Sequence, residues 1–159
     1  MVYFIYTDGS CRNNGQKNSA GAYGFILLNE SQTKVIYSEA HLVAHTTNQR
    51  MELMAALSAC QKLNQLVKPF DEVRIFTDSA YLCNCIKQGW YKKWLMNNWV
   101  NSKKEPVANK DLWVELIPFF DSPNYIFQKV EAHTTNIWNN YVDNIVQNTT
   151  ARYLNGSSS

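Results

Sequence analysis

The sequence predicts a single α/β domain with a five-stranded mixed sheet, and three observations support this fold class. Three β-like apolar segments come first and are separated by polar residues, which predicts an antiparallel meander. Beyond residue 46 the apolar spacing becomes helical, and β-like and helical segments then alternate, which favours parallel crossovers. Asp8 and Asp78 each end an apolar β-like run. The chain therefore reads as a sheet of antiparallel and parallel strands flanked by helices.

The first part of the chain predicts three strands and a long helix. Strands are expected at residues 2–8, 22–28 and 34–42, with a Gly-, Asn- and Ser-rich loop over 9–21. Thr46 is followed three residues later by Gln49, the pattern of a capping box, and predicts a helix over about 47–66. Pro69 closes this helical segment.

The second part predicts two further strands, at 72–77 and 125–130, and helices at 79–87 and 138–154. Another helix opens at Asn109 and is disturbed by Pro118. Between Lys87 and Lys104, a helical or looped segment carries five Lys, three Trp and no acidic residue. We expect residues 1–154 to form the domain and residues 155–159 to form a flexible tail.

Composition excludes several classes of protein. Apolar residues make up 45% of the 159-residue chain and charged residues 18%, which is typical of a globular domain. No apolar run approaches the roughly 20 residues of a membrane span, so no membrane association is expected. The N-terminus has no signal-peptide pattern, and the four Cys lack zinc-site spacing. We therefore expect a cytoplasmic protein with reduced thiols.

Four acidic residues and one His are candidates for chemistry. Ligands of α/β folds bind outside the carboxyl ends of strands, so Asp8 and Asp78 are expected at one point, with a divalent cation between their charges. Glu52, on the first long helix, is either a solvated acid near a helix N-terminus or a side chain aimed at the strand ends. Asp143 alone would be a surface acid of the last helix. His133 follows the fifth strand, where an isolated His is usually solvated.

Taken together, these residues and their surroundings resemble a type 1 ribonuclease H over essentially the whole chain. The matching motifs are Thr7-Asp8-Gly9-Ser10, Thr47 to Leu53, Thr77-Asp78-Ser79, Trp90 to Trp99, Asn109 to Trp113 and His133 to Asp143. The resemblance implies a ribonuclease H-like fold and an endonuclease that hydrolyses the RNA strand of RNA/DNA hybrids. For the oligomeric state, which the sequence leaves open, we expect a monomer as the default and infer no obligate protein partner.

The resemblance further implies the roles of the candidate residues. Asp8, Glu52, Asp78 and Asp143 would bind two Mg²⁺ ions, with Mn²⁺ as a substitute, and Asp8 would bridge both ions. His133 would assist proton transfer or product departure.

Nine residues would hold the hybrid. Asn14, Asn48 and Gln49 correspond to contacts with its minor groove, and Thr47 and Asn109 to contacts with the DNA phosphate. The Trp/Lys segment resembles a basic protrusion that holds the DNA strand through Trp90, Lys92, Lys93 and Trp94. Thr47, Asn48 and Gln49 also suit helix capping, and both roles are compatible.

Two loops depart from the pattern of this family, and two other classes of protein are alternatives. The loop after Asp8 is longer than the compact turn of many bacterial members, and the loop after His133 lacks the family's usual Gly. A resolvase or integrase core shares the fold superfamily, but Asn48, Gln49 and the Trp/Lys segment argue against it. A non-catalytic hybrid-binding module is disfavoured, because an unused buried carboxylate cluster costs stability.

Overall fold

Five strands form one mixed sheet in the computed structural model, which describes residues 1–131 and 136–157. The strands are β1 (Val2–Arg12), β2 (Ala20–Leu28), β3 (Val35–Ala44), β4 (Glu72–Thr77) and β5 (Tyr125–Lys129). Their order in the sheet is β3-β2-β1-β4-β5. The pairs β1–β2 and β2–β3 are antiparallel, whereas β1–β4 and β4–β5 are parallel. The predicted meander and parallel strands are thus confirmed.

Five helices within these described ranges connect and cover the strands. They are α1 (Asn48–Asn64), α2 (Ala80–Gln88), α3 (Trp90–Met96), α4 (Lys110–Phe120) and α5 (Ile137–Ser157). α4 continues for two residues beyond Pro118. α5 ends three residues beyond the predicted end at residue 154. No helix of the described ranges is long and apolar enough to cross a membrane.

Alternate residues of β1 pack on opposite faces of the sheet. Ile5 joins a buried cluster with Ala59, Cys60 and Leu63 of α1. Tyr6 joins a second cluster on the other face, where Val142 of α5 is fully buried. Because β1 is the central strand, its side chains meet α1 on one face and α5 on the other.

The predicted loop over residues 9–21 is wrong at both ends. β1 continues to Arg12 and β2 begins at Ala20, since residues 9–12 pair with residues 20–23. Backbone hydrogen bonds form this ladder, so polar and glycine residues can extend it without an apolar pattern. The connecting loop is therefore limited to residues 13–19.

The N-cap of α1 is shifted by one residue from the prediction. The Thr47 side chain, not that of Thr46, accepts a hydrogen bond from the Arg50 backbone N–H at 3.2 Å. The Thr46 hydroxyl is buried and has no hydrogen-bond partner within the described ranges. The hydroxyl that accepts a hydrogen bond from the first turn of α1 is thus that of Thr47, which is exposed like its neighbour Asn48.

Candidate active site

The parallel pairing of β1 with β4 brings the two strand-end aspartates together. Tyr6 pairs with Phe76, so Asp8 and Asp78 follow two residues later on neighbouring strands. Asp8 is buried, with 6% of its surface exposed, and Asp78 is half-buried. This juxtaposition is the one expected at the carboxyl ends of parallel strands.

Gly9 allows α1 to approach the same point. A Cβ at this position would lie 2.3 Å from the Met51 carbonyl carbon and 2.6 Å from the Glu52 backbone nitrogen. Real Cβ atoms do not approach backbone atoms so closely, so a side chain at residue 9 would push α1 away from β1. The glycine therefore sets the distance between Glu52 and Asp8.

Ser79 orients the Glu52 side chain. Its hydroxyl donates to Glu52 Oε2 at 2.6 Å and also accepts from the Leu82 backbone N–H at 3.1 Å, which caps α2. Burial raises the pKa of Glu52, and the Asp78 charge raises it further, against the opposing effect of the Ser79 hydrogen bond. The N-cap residue of α2 thus orients the Glu52 carboxylate, which belongs to α1.

Asp143 reaches the cleft from α5. Its neighbour Val142 is buried against the sheet, which leaves Asp143 half-buried at the edge of that contact. Burial raises the pKa of Asp8 to about 9, and the effect is increased by the Asp78 charge and by a hydrogen bond with the Asp143 carboxyl. Without a cation, the Asp8 carboxyl therefore retains its proton at neutral pH.

All four carboxylates line one open cleft of about 300 Å³. The lining residues are Asp8, Gly9, Ser10, Asn48, Glu52, Asp78, Asp143 and Gln147. Carboxylate oxygens are the donors that hard divalent cations prefer, and Asp8 Oδ2 is buried with no hydrogen-bond partner among the described residues. In ranges 1–131 and 136–157, no three acidic, His or Cys side chains converge closely enough to hold an ion as they stand. These carboxylate oxygens suit a divalent cation, and repulsion between the carboxylates is a physical reason why they lie apart.

Two of the three predicted minor-groove residues, Asn14 and Asn48, are joined by a hydrogen bond beside this cleft. Asn14 Oδ1 accepts from the Asn48 backbone N–H at 3.1 Å, and Asn48 Oδ1 accepts from the Cys11 backbone N–H at 2.5 Å. Gln49 is exposed in the first turn of α1. The structure therefore places Asn14 and Asn48 together, while their contact with a hybrid stays a prediction.

The predicted phosphate residues Thr47 and Asn109 line a second cleft, of about 390 Å³, together with Arg50. Arg50 donates to Asn109 Oδ1 at 3.4 Å and forms two hydrogen bonds with the Asp111 carboxylate, at 3.0 and 2.5 Å. Asn109 Nδ2 donates to the Tyr81 hydroxyl at 3.3 Å. These contacts tie the start of α4 to α1 and keep Thr47 and Asn109 at one cleft.

The Trp/Lys segment contains α3 and a groove of about 410 Å³ that Trp90, Lys93 and Trp94 help to line. Lys92 and Lys93 are exposed. Trp94 also packs against the buried Trp113, with ring centroids 5.4 Å apart. The indole of Trp94 thus has a structural contact in addition to its predicted contact with nucleic acid, and the protrusion itself stays a prediction.

His133 lies outside the described residues, so its catalytic role stays a prediction as well. Three polar residues at or beside the cleft have no role predicted from the sequence: Ser10 and Gln147 line the cleft, and Ser79 contacts Glu52. Local signals exist for Ser79 and Gln147. Ser79 directly precedes a helical segment, as an N-cap does, and Gln147 is four residues from Asp143 and so shares its helix face.

The sheet order and the carboxylate cleft define an α/β nuclease with a ribonuclease H-like fold. Solved structures share this fold. One is described as LC9-RNase H1, a type 1 RNase H with the type 2 active-site motif; it superposes with a TM-score of 0.78 at 20% identity, over 94% of this chain and 72% of that chain. Another, LC11-RNase H1 in complex with an RNA/DNA hybrid, has a TM-score of 0.68 at 23% identity and covers 96% and 99% of the two chains.

Sequence relatives specify the family. Ribonuclease H of Syntrophomonas wolfei is 41% identical over 145 residues, covering 91% of this chain and 92% of the relative. Ribonuclease H of Clostridium botulinum is 40% identical over 141 residues, covering 89% and 90%. The RNase H family model matches residues 2–151, and the chain belongs to this family. Its members are divalent-metal-dependent enzymes that hydrolyse the RNA strand of RNA/DNA hybrids.

Proposed function

We propose that this chain cleaves the RNA strand of RNA/DNA hybrids at the cleft formed by Asp8, Glu52, Asp78 and Asp143. The observation that supports the assignment is the convergence of these carboxylates from two strands and two helices on one cleft. They would hold two Mg²⁺ ions, or Mn²⁺ as a substitute, because hard oxygen donors suit hard cations. When bound, such a pair activates water and stabilises charge on the leaving oxygen.

The environment of each carboxylate suggests its share of the work. Asp8 interacts electrostatically with both Asp78 and Asp143, and among the described residues its Oδ2 has no hydrogen-bond partner, so Asp8 would be the side chain shared by the two ions. Glu52 is held in one orientation by the Ser79 hydroxyl. His133 would accept or deliver a proton, or assist departure of the product.

The hybrid would lie across the start of α1. Asn14, Asn48 and Gln49 would read its minor groove, where 2′-hydroxyls distinguish RNA. A DNA phosphate would enter the second cleft beside Thr47 and Asn109. A similar fold is known in complex with an RNA/DNA hybrid, in LC11-RNase H1.

The Trp/Lys segment would hold the DNA strand farther along the hybrid. Lys92 and Lys93 would neutralise phosphates, and Trp90 and Trp94 would form the wall of the channel. All four carboxylates of the cleft come from one chain, so we also propose that the enzyme acts as a monomer without an obligate protein partner. The location that we propose for it is the cytoplasm.

A cleavage assay tests the proposal directly. Purified protein is incubated with labelled RNA/DNA, RNA/RNA and DNA/DNA duplexes, with Mg²⁺, with Mn²⁺ or with a chelator. We expect cleavage of the RNA strand in the hybrid alone, and only with metal. Cleavage of the other duplexes, or of the hybrid in chelator, would contradict the assignment.

A variant of Asp78 separates catalysis from binding. Asp78→Asn removes a charged donor with little change of shape, so we expect cleavage to be lost while hybrid affinity, measured by fluorescence anisotropy, stays within about threefold of wild type. Glu115→Gln, an exposed acid on α4, is the matched control and should cleave normally. Wild-type cleavage by Asp78→Asn would refute the proposed role.

A further inference from the structure

α5 lies along β1 with polar contacts on one face of the strand. Side chains of alternate residues of β1 point toward α5, as the burial of Tyr6 against Val142 indicates. The polar partners pair off in the order of the chain: Tyr6 with Asn136, Asp8 with Asp143, and Ser10 with Gln147. The carboxylate pair is thus flanked by neutral hydrogen bonds on both sides.

The pair beyond the carboxylates is the Ser10–Gln147 contact. Gln147 Nε2 donates to Ser10 Oγ at 3.2 Å, and both side chains line the carboxylate cleft. Ser10 lies two residues after Asp8 on the same strand face, and Gln147 lies one helical turn after Asp143. Each partner therefore neighbours a carboxylate on the same face of its strand or helix.

The pair before the carboxylates fixes the start of the helix. Asn136 Oδ1 accepts from the backbone N–H groups of Trp138 and Asn139, both at 3.1 Å, and caps α5. Asn136 Nδ2 donates to the Tyr6 hydroxyl at 3.4 Å. This long contact is made seven residues before Asp143 and orients the first turn of α5.

Apolar packing alone does not fix the position of Asp143. Val142 and Val146 of α5 are fully buried. Their apolar contacts are non-directional, however, and permit small shifts of the helix along the strand. The Ser10–Gln147 hydrogen bond is a directional contact between β1 and α5 on the cleft side of Asp143, and it opposes such shifts.

We propose that Ser10 and Gln147 form a positioning pair that holds Asp143 against Asp8 and thereby sets the affinity of the cleft for divalent metal. The inference rests on the proposed function, in which Asp8 and Asp143 are metal ligands. Gln147 acts through Asp143 and needs no contact with the reacting atoms. Residues that orient metal ligands commonly change metal affinity by about 10- to 100-fold when they are removed.

The test is Mn²⁺ binding measured by isothermal titration calorimetry, without nucleic acid. Gln147→Met keeps the length of the side chain but cannot donate, and Ser10→Ala removes the acceptor. We expect each variant to bind Mn²⁺ about 10-fold more weakly than wild type. The double variant should be no weaker than either single one, because both changes break the same contact.

Controls separate this role from general destabilisation and from substrate contact. Asn148→Met alters the exposed neighbouring residue on α5 and should bind Mn²⁺ like wild type. Ser10→Thr keeps the hydroxyl and should restore affinity to within about threefold. At saturating metal, the KM for an RNA/DNA hybrid should change by less than about twofold in Gln147→Met, because the pair acts on metal binding.

Three results would overturn the inference: wild-type Mn²⁺ affinity in Gln147→Met, additive losses in the double variant, or a raised KM with unchanged metal binding. If one variant does not fold, as judged by circular dichroism, the other still tests the contact. Asp143→Asn distinguishes a failure of the proposed function from a failure of the positioning pair. Unchanged Mn²⁺ affinity in Asp143→Asn would refute the proposed function, whereas weaker binding there with normal binding in Gln147→Met would refute only the positioning pair.

Discussion

Replacement of Asp8 by Asn is expected to stabilise the metal-free protein at alkaline pH while it abolishes cleavage. The pKa of Asp8 is raised from 3.8 to about 9, chiefly by burial and then by the charges of Asp78 and Asp143. In the unfolded chain this carboxyl ionises near its ordinary pKa. Between the two values, the folded protein therefore binds a proton that the unfolded chain releases, and stability falls as the pH rises.

The size of the effect follows from the shift. One pKa unit corresponds to about 1.4 kcal/mol, so the interval from 3.8 to pH 8 sets a ceiling of about 6 kcal/mol. Neighbouring carboxylates share the proton and local relaxation reduces the cost, so we expect about half of this ceiling, or about 3 kcal/mol. For a domain of this size, that gain raises the Tm by about 6–12 °C.

The assay is urea denaturation of wild type and Asp8→Asn in chelator at pH 4 and pH 8. We expect the stability gain of the variant to be about 3 kcal/mol at pH 8 and less than about 1 kcal/mol at pH 4. Saturating Mg²⁺ should favour wild type, because ligands stabilise the state that binds them. Glu115→Gln should change stability by less than about 0.5 kcal/mol at either pH. A variant no more stable than wild type at pH 8 would refute the account of Asp8.

Two further predictions test the phosphate contacts and the helix approach. Replacing Lys92 and Lys93 together by Ala should raise the KM for the hybrid without changing kcat. The slope of log KM against log salt should fall by about 1–2, because each phosphate contact releases counterions. An unaltered slope would count against these contacts. Gly9→Ala should lower the free energy of unfolding by about 3 kcal/mol in urea titrations and should slow cleavage, since the new Cβ would displace the α1 backbone at Met51 and Glu52. Wild-type stability in that variant would show that the approach is not tight.

The sheet could be predicted because its strands carry local signals. β-branched and aromatic runs mark all five strands, and the change to helical spacing after residue 46 marks the crossover to α1. The second half of β1 carries no such signal, because residues 9–12 are Gly, Ser, Cys and Arg and their pairing with β2 depends on the backbone. A polar, glycine-containing stretch of this kind therefore predicts a loop from local pattern alone.

The candidate site could likewise be predicted only in part from the sequence. The sequence motifs predicted that Asp8, Glu52, Asp78 and Asp143 act together, and the structure places them on one cleft. The role of Ser79 could not be read in the same way, because its hydrogen bond to Glu52 joins residues 27 positions apart. The need for a glycine beside Asp8 likewise depends on the path of α1, which no local pattern specifies.

The placement of Asn48 and Glu52 on one helix has a consequence for where the RNA strand is cut. The two residues are one turn apart on α1, a rise of about 6 Å, and both line the carboxylate cleft. Under the proposed assignment, the side chain that recognises the minor groove and a side chain that binds metal are joined by continuous helical backbone. The rise of α1 between these residues then fixes the distance between the recognised nucleotide and the scissile phosphate. A different distance would require a change in the helix itself.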